Sequence, residues 1–214
     1  LAWEPERVLP PLHVVTDDAV VARPDFLERA LLVLEWGGPH LAFHLRAPRT
    51  SGRRLFDLAR ALLPRAIDEN ALLLVNDRVD VALAVGADGV QLGGRGIGIA
   101  DARRIVGPKP WIGASVHSGG EARSAASGGA DFVMAGAVYA TESHPGQPGA
   151  GLGVIEDAAA AGLPVIAIGG ITPERVGEVM AAGAAGVAVI RGVWEEGDVG
   201  EAVRRYLRAM GRWA

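Results

Sequence analysis

Short runs of Val, Ile and Leu recur along the chain, separated by Ala-, Leu-, Arg- and Glu-rich stretches whose apolar positions follow helical spacing. The pattern predicts strand, helix, strand, helix from one end to the other. Strands are expected at about 12–16, 40–46, 71–76, 89–92, 111–115, 131–136, 164–168 and 186–190. Uninterrupted apolar strands such as Pro164-Val165-Ile166-Ala167-Ile168 suit a parallel sheet covered on both faces. Eight strands in 214 residues leave about 27 residues per unit, room for a strand, a helix and two short loops.

A repeat supports the same reading. Gly86-Ala87-Asp88, Gly129-Ala130-Asp131 and Gly183-Ala184-Ala185 each close a helical stretch and lead into an apolar strand. The Gly can end the helix in a left-handed conformation, and the small residues let the next strand start at once. The predicted fold is α/β, a (β/α)8 TIM barrel forming a single domain over residues 1–214. An open doubly wound sheet competes with it, but would carry a Gly-rich fingerprint after the first strand, where Thr16-Asp17-Asp18 stands instead.

Composition narrows the function classes. With 21 Lys+Arg against 25 Asp+Glu, the net charge of -4 gives no electrostatic footprint for a nucleic-acid backbone. No apolar run reaches the length of a membrane span, and Leu1-Ala2-Trp3-Glu4 lacks the basic start of a signal peptide, so a cytoplasmic protein is expected. The absence of Cys removes thiol nucleophiles and thiolate metal sites. Lys109 is the one lysine and precedes the fifth strand, at the end of a barrel away from its chemistry, which argues against Schiff-base catalysis.

In a barrel the carboxyl ends of the strands carry function. There the sequence places Thr16, Asp17, His44, Arg46, Asn76, Asp77, Gln91, Ser115, His117, Thr141, Gly169, Gly170 and Ile190 to Gly192. The Gly169-Gly170 turn, with Thr172 as a helix cap before Pro173, joins Ile190-Arg191 after the eighth strand in a pattern suited to phosphate on backbone amides. His117 has the chemistry of a general acid or base, although its position suits a loop-capping residue equally. His44 and Arg46 share strand parity, pointing together into the mouth or out beneath a helix. His13 reads as structural, and Asp17 and Asp18 as helix caps. Asp77 could hold a metal, pair with Arg78 or cap the next helix; one carboxylate without a second favours the structural readings. The Gly/Pro-rich segment 143–151 reads as an active-site loop.

Val14-Val15-Thr16-Asp17, Val75-Asn76-Asp77-Arg78, Gly86-Ala87-Asp88-Gly89-Val90, Ser115-Val116-His117-Ser118 and Val165-Ile166-Ala167-Ile168-Gly169-Gly170-Ile171-Thr172 together resemble the thiamin phosphate synthase superfamily over nearly the whole chain. That resemblance implies one of two reactions. The synthase joins a pyrimidine diphosphate to a thiazole phosphate with magnesium; the TenI-type tautomerase isomerises a carboxythiazole phosphate without metal. Three synthase features are altered. The Gln-Leu-Arg-Glu-Lys pattern aligns with His44-Leu45-Arg46-Ala47-Pro48, the second magnesium carboxylate with Gly96, and Thr-x-Thr-Lys with Thr141-Glu142-Ser143-His144. All three remove groups that serve a metal-bound diphosphate, so the resemblance points to the tautomerase branch, an isomerase.

On that expectation the ligand is carboxythiazole phosphate, with no cofactor and no metal. His117 is the acid/base residue, Gly169, Gly170, Ile190 and Arg191 bind the phosphate, and Arg46, Asn76, Ser115, Thr141 and Ser143 are the further substrate-binding candidates. Superfamily members often form homo-oligomers, which leaves assembly open for this chain. A transferase that rebuilds its diphosphate site with Arg46, Arg95 and His144 is the first alternative, and a non-catalytic phosphate-binding or regulatory barrel the second.

Overall fold

The computed structural model describes residues 8–94, 96–141 and 148–212. Eight parallel strands pair in sequence order and the last returns to the first, closing the barrel. They are β1 (Leu12–Val15), β2 (Leu41–Leu45), β3 (Leu72–Asn76), β4 (Gly89–Leu92), β5 (Trp111–Val116), β6 (Phe132–Gly136), β7 (Val165–Ile168) and β8 (Gly186–Val189). Each lies within a residue or two of its predicted place. The helices are α1 (Asp18–Val21), α2 (Phe26–Gly37), α3 (Gly52–Asp68), α4 (Val79–Val85), α5 (Ile99–Val106), α6 (Gly119–Ser127), α7 (Gly153–Ala159), α8 (Val176–Ala181), α9 (Arg191–Trp194) and α10 (Val199–Ala209). None is long and apolar enough to cross a membrane.

The three repeat glycines do end helices left-handed, at φ +74° for Gly86, +91° for Gly129 and +100° for Gly183. The Asp of the repeat has its own task. Asp88 Oδ2 accepts the Leu73 amide at 2.8 Å, and Asp131 Oδ2 accepts the Ile112 amide at 2.7 Å and Arg103 Nη2 at 2.6 Å. Each carboxylate thus ties the start of one strand to its neighbour. Lys109 is exposed just ahead of β5, at this amino-terminal end.

The period of two along each strand divides the hydrophobic residues into two cores. The larger lies between barrel and helices. The smaller fills the barrel with Val15, Ala42, Leu74, Phe132, Met134, Ile166 and Ala188. Gly113 leaves the space this filling needs, because a Cβ there would come within 2.1 Å of Gln91 Oε1 and 2.2 Å of the Phe132 ring.

Trp194 joins the last βα unit to the first. It is 1% exposed, its ring lies 5.8 Å from Phe26 and 6.0 Å from Phe43 between centroids, and its Nε1 donates to the Val15 carbonyl at 2.8 Å. Its own carbonyl accepts from Arg23 Nη1 at 2.8 Å and Arg29 Nη2 at 3.1 Å. Trp194→Ala is expected to cost about 3–5 kcal/mol, from lost burial and the cavity left behind. Trp194→Phe, which keeps most of the ring area but drops the donor, is expected to cost less, about 1–3 kcal/mol. Urea unfolding of the two variants checks that order.

Candidate active site

Strand parity settles where His44 and Arg46 point. His44 is inside the barrel, fully buried, and Arg46 follows two residues on at the rim. Thr16 fixes that rim, its Oγ1 accepting from the Arg46 amide at 2.9 Å and donating to the Arg46 carbonyl at 2.8 Å. The Arg46 guanidinium is half-buried and has no ion-pair partner among the described residues. Asp17 caps α1, accepting from the Val20 amide at 2.8 Å as expected. Asp18 does not cap. It reaches the β2–α3 loop, where its Oδ1 accepts the Arg49 amide at 2.9 Å and its Oδ2 accepts Arg49 Nε at 3.2 Å.

Asp77 does neither structural job that its sequence context suggests. Arg78 pairs instead with Asp80, and α4 begins without a side-chain cap. Asp77 adopts φ +59°, a conformation Asp tolerates better than most residues, and its Oδ1 accepts the Gly93 amide at 2.7 Å from the β4 loop. A Cβ at Gly96 would lie 3.4 Å from the same oxygen, so position 96 borders this carboxylate. Oδ2 has no partner among the described residues.

His117 follows β5 and is held twice. Ser118 caps α6 by accepting from the Glu121 amide, while Glu121 Oε2 accepts from the His117 amide at 2.7 Å, a variant of the reciprocal capping box written by Ser118-Gly119-Gly120-Glu121. The ring lies with Nδ1 2.6 Å from the Gly136 carbonyl. A carbonyl only accepts, so Nδ1 carries a proton and Nε2 of the neutral ring is the acceptor. Ser115, on the same strand, is exposed in the mouth, and its Oγ accepts from Gln91 Nε2 at 3.1 Å.

The loops after β7 and β8 lie side by side. Gly169 and Gly170 have φ +107° and +63°, and their amides have no backbone acceptor among the described residues. Arg175 Nη1 holds the Gly170 carbonyl at 2.7 Å while its guanidinium stacks 4.3 Å from the Tyr139 ring. Pro173 starts a single 3-10 turn, and Thr172 makes no side-chain cap bond to it. Ile190 precedes α9, and Arg191 Nη2 donates to Thr141 Oγ1 at 3.0 Å, which brings two predicted site residues together. Tyr206 of α10 braces both loops. Its hydroxyl donates to the Ile171 carbonyl at 2.9 Å and lies where a Cβ on Gly192 would come within 2.1 Å of it; burial pushes its phenol up to about 12. Ser143 and most of the sixth loop, together with Arg95 and His144, lie outside the described residues.

The sequence places His44, Asn76, Gln91 and Ser115 at the mouth, but sequence reasoning missed the partnership of His44 with His13 inside the barrel. His13 Nδ1 and His44 Nε2 are 2.7 Å apart, and Asn76, Gln91 and Ser115 occupy inward positions on the next strands. The parity of His13 with Val15 was the available signal. Among the described residues, His44 Nδ1, Asn76 Oδ1 and Gln91 Oε1 are buried without hydrogen-bond partners.

Together these features define a closed parallel (β/α)8 barrel with a polar mouth. The family model for thiamine monophosphate synthase matches residues 12–193, and the chain belongs to that family. It is 45% identical over 195 residues to the thiamine-phosphate synthase of Methanoculleus marisnigri, covering 90% of this chain and 92% of that one. Identity to the thiamine-phosphate synthase of Chlorobium luteolum is 42% over 203 residues, 94% of this chain and 93% of that one. The structure of a thiamine phosphate pyrophosphorylase from Pyrococcus furiosus superposes with a TM-score of 0.81 at 34% identity, covering 94% and 95% of the two chains.

These findings overturn the tautomerase branch and the isomerase assignment. The three altered motifs remove lysines and one carboxylate, but a diphosphate needs cations rather than lysines in particular, and the mouth retains Arg46 and Asp77. The isomerisation of a carboxythiazole phosphate falls with that branch.

The buried histidines make acid stability testable. Burial holds His44 down to about 3, an effect that the facing Asn76 only partly offsets; burial, with repulsion from His44, holds His13 well below its ordinary 6.5. The unfolded chain therefore binds more protons below about pH 6.5. Their contribution is complete above that pH and is lost as pH falls from about 6.5 toward about 3, with a slope approaching about 1.4 kcal/mol per pH unit for each histidine. Urea unfolding at successive pH values should show this slope, and a His13→Phe/His44→Gln double variant should flatten it. An unchanged slope in that variant would place the acid sensitivity elsewhere.

Proposed function

We propose that the chain is a transferase that makes thiamin phosphate from a pyrimidine diphosphate and a thiazole phosphate. The observation that carries this reading is the 45% identity, over nearly the full length of both chains, to a protein named thiamine-phosphate synthase. The substrates are small molecules, and the setting is cytoplasmic.

In this reaction the bond from the pyrimidine's side-chain carbon to the diphosphate breaks as the bond from that carbon to the thiazole forms. Proximity and charge stabilisation do most of the work. The amides of Gly169 and Gly170, with those opening α9 at Ile190 and Arg191, would hold the thiazole phosphate, and Arg191 with Thr141 would close that side. Arg46 would meet the diphosphate at the opposite rim. Asn76 and Ser115 would line the ring-binding depth between them, and His117 would offer Nε2 as an acceptor.

Asp77 fits a magnesium ion of a particular kind. Among the described residues no three acidic or histidine side chains converge, so the ion would take one carboxylate from the protein and the rest from phosphate and water, a familiar arrangement for magnesium. When bound it would neutralise charge on the departing diphosphate.

Supplying both substrates and magnesium should yield thiamin phosphate and pyrophosphate. Asp77→Asn is expected to lower turnover at least ~10²-fold while leaving thiazole phosphate binding intact. A wild-type chain that forms no product would overturn the proposal.

Gly96→Asp offers a converse test. The space beside Asp77 admits a Cβ without a clash. A second carboxylate there should reduce the magnesium concentration for half-maximal rate about tenfold, as more protein ligands raise affinity. An unchanged magnesium midpoint would show that position 96 does not border the ion.

A further inference from the structure

Where β7 leaves the barrel, four successive carbonyls are each held by a partner. The Ile168 carbonyl accepts from the Val138 amide at 2.9 Å and the Gly169 carbonyl from the Tyr139 amide at 3.0 Å, both on the chain that leaves β6. The Gly170 carbonyl accepts from Arg175 Nη1 at 2.7 Å, and the Ile171 carbonyl from the Tyr206 hydroxyl at 2.9 Å. In a strand successive carbonyls point to opposite neighbours, so two turned to the same neighbour mark where the left-handed glycines bend the chain.

The amides follow from the carbonyls. A trans peptide sets each N–H opposite the carbonyl of the residue before it. The amides of Gly170, Ile171 and Thr172 therefore point away from Tyr139, Arg175 and Tyr206 respectively, and none of the three has a backbone acceptor among the described residues.

The holds differ in how firmly they are anchored. The Gly169 carbonyl is held by backbone, and the Ile171 carbonyl by a tyrosine that is 1% exposed. The Gly170 carbonyl depends on an exposed arginine. Glycine adopts either sign of φ at little cost, so the turn by itself does not fix the peptide between Gly170 and Ile171. Arg175 fixes it for as long as its guanidinium stays in place. The guanidinium stacks 4.3 Å from the Tyr139 ring centroid, and the Tyr139 hydroxyl donates to Glu178 Oε1, three residues beyond Arg175 on the same side of the start of α8. Tyr139 thus seats the turn twice, through its own amide and through the arginine on its ring.

We propose that Arg175 is a positioning residue that fixes the Gly170–Ile171 peptide, so that the Ile171 amide joins those of the glycine turn as a donor to a bound phosphate group, and that Tyr139 acts through Arg175. Neither side chain touches the phosphate in this scheme. That the phosphate belongs to a thiazole rests on the synthase reading; the orientation of the peptide does not.

Titrating inorganic phosphate into the ¹⁵N-labelled wild-type chain tests the donor directly. The Ile171 amide should shift downfield and saturate, and an Ile171 amide that does not respond would overturn the proposal. Arg175→Met keeps an apolar group against the Tyr139 ring but removes the donor. It should weaken phosphate binding about fivefold, the worth of about one hydrogen bond, and the Ile171 amide of the free variant should show exchange between two environments. Weaker binding with a single unbroadened Ile171 resonance would mark a simple charge effect and overturn positioning. Tyr139→Leu should weaken binding in the wild-type background and add nothing to Arg175→Met, whereas additive losses would remove Tyr139 from the scheme.

In turnover, Arg175→Met should raise the KM for the thiazole phosphate about fivefold and leave the KM for the pyrimidine diphosphate unchanged. Equal changes in both would indicate a general structural role and overturn the proposal. If the wild-type chain forms no thiamin phosphate, the synthase reading fails, while the phosphate titrations still decide the role of Arg175.

Discussion

Closing eight strands into a ring forces every second side chain into a narrow interior, and the rest of this molecule is arranged around that constraint. The lower interior is filled by apolar groups such as Phe132, Ile166 and Ala188. Filling it alters what each strand can carry, as Gly113 shows by yielding its side-chain volume to Gln91 and Phe132. Toward the carboxyl ends the inward positions turn polar, with His44, Asn76, Gln91 and Ser115. The candidate site is therefore the continuation of the core rather than a separate feature added to its surface. Packing below gives the polar layer a rigid base, which pre-organises it for binding.

The strands were legible in the sequence because each is a short apolar run bounded by Gly, Pro or Asp, and the same boundaries reappear in the structure. The turn after β7 was legible for a related reason. Consecutive left-handed residues need glycine, so Gly169-Gly170 at a strand end carries its conformation in its composition. The His13–His44 pair was harder to see. Its members are 31 positions apart, and only the register between β1 and β2 brings them together. Asp77 was obscured by its neighbour, since an Asp next to an Arg suggests an ion pair, whereas Arg78 turns to Asp80 and leaves Asp77 to meet the β4 loop.

The choice of branch failed for a different physical reason. Missing lysines and a missing carboxylate were read as the loss of a diphosphate site. That inference treats a charge requirement as a requirement for particular side chains. Phosphate oxygens can be met by a guanidinium, by backbone amides and by a metal that arrives with the substrate, so one carboxylate and one arginine satisfy much of the same demand. The full-length similarity to synthases fits this broader view of what the mouth must supply.

From floor to rim the mouth changes character in a fixed order. Apolar side chains come first, then buried acceptors, then backbone amides, a carboxylate and cations. A molecule that matches this order has a flat nitrogen ring at depth and its phosphate groups outside, and the two substrates of the proposed reaction share that build. The order also separates two kinds of control. Rim groups are partly exposed and interact through charge, so changes there should act on phosphate and metal and respond to salt. The groups beneath them, His13, His44 and Gln91, are shielded from solvent, and burial suppresses the charging of the two histidine rings. Burial keeps the two histidine rings at depth neutral, so that layer responds less to the ionic changes that govern the rim.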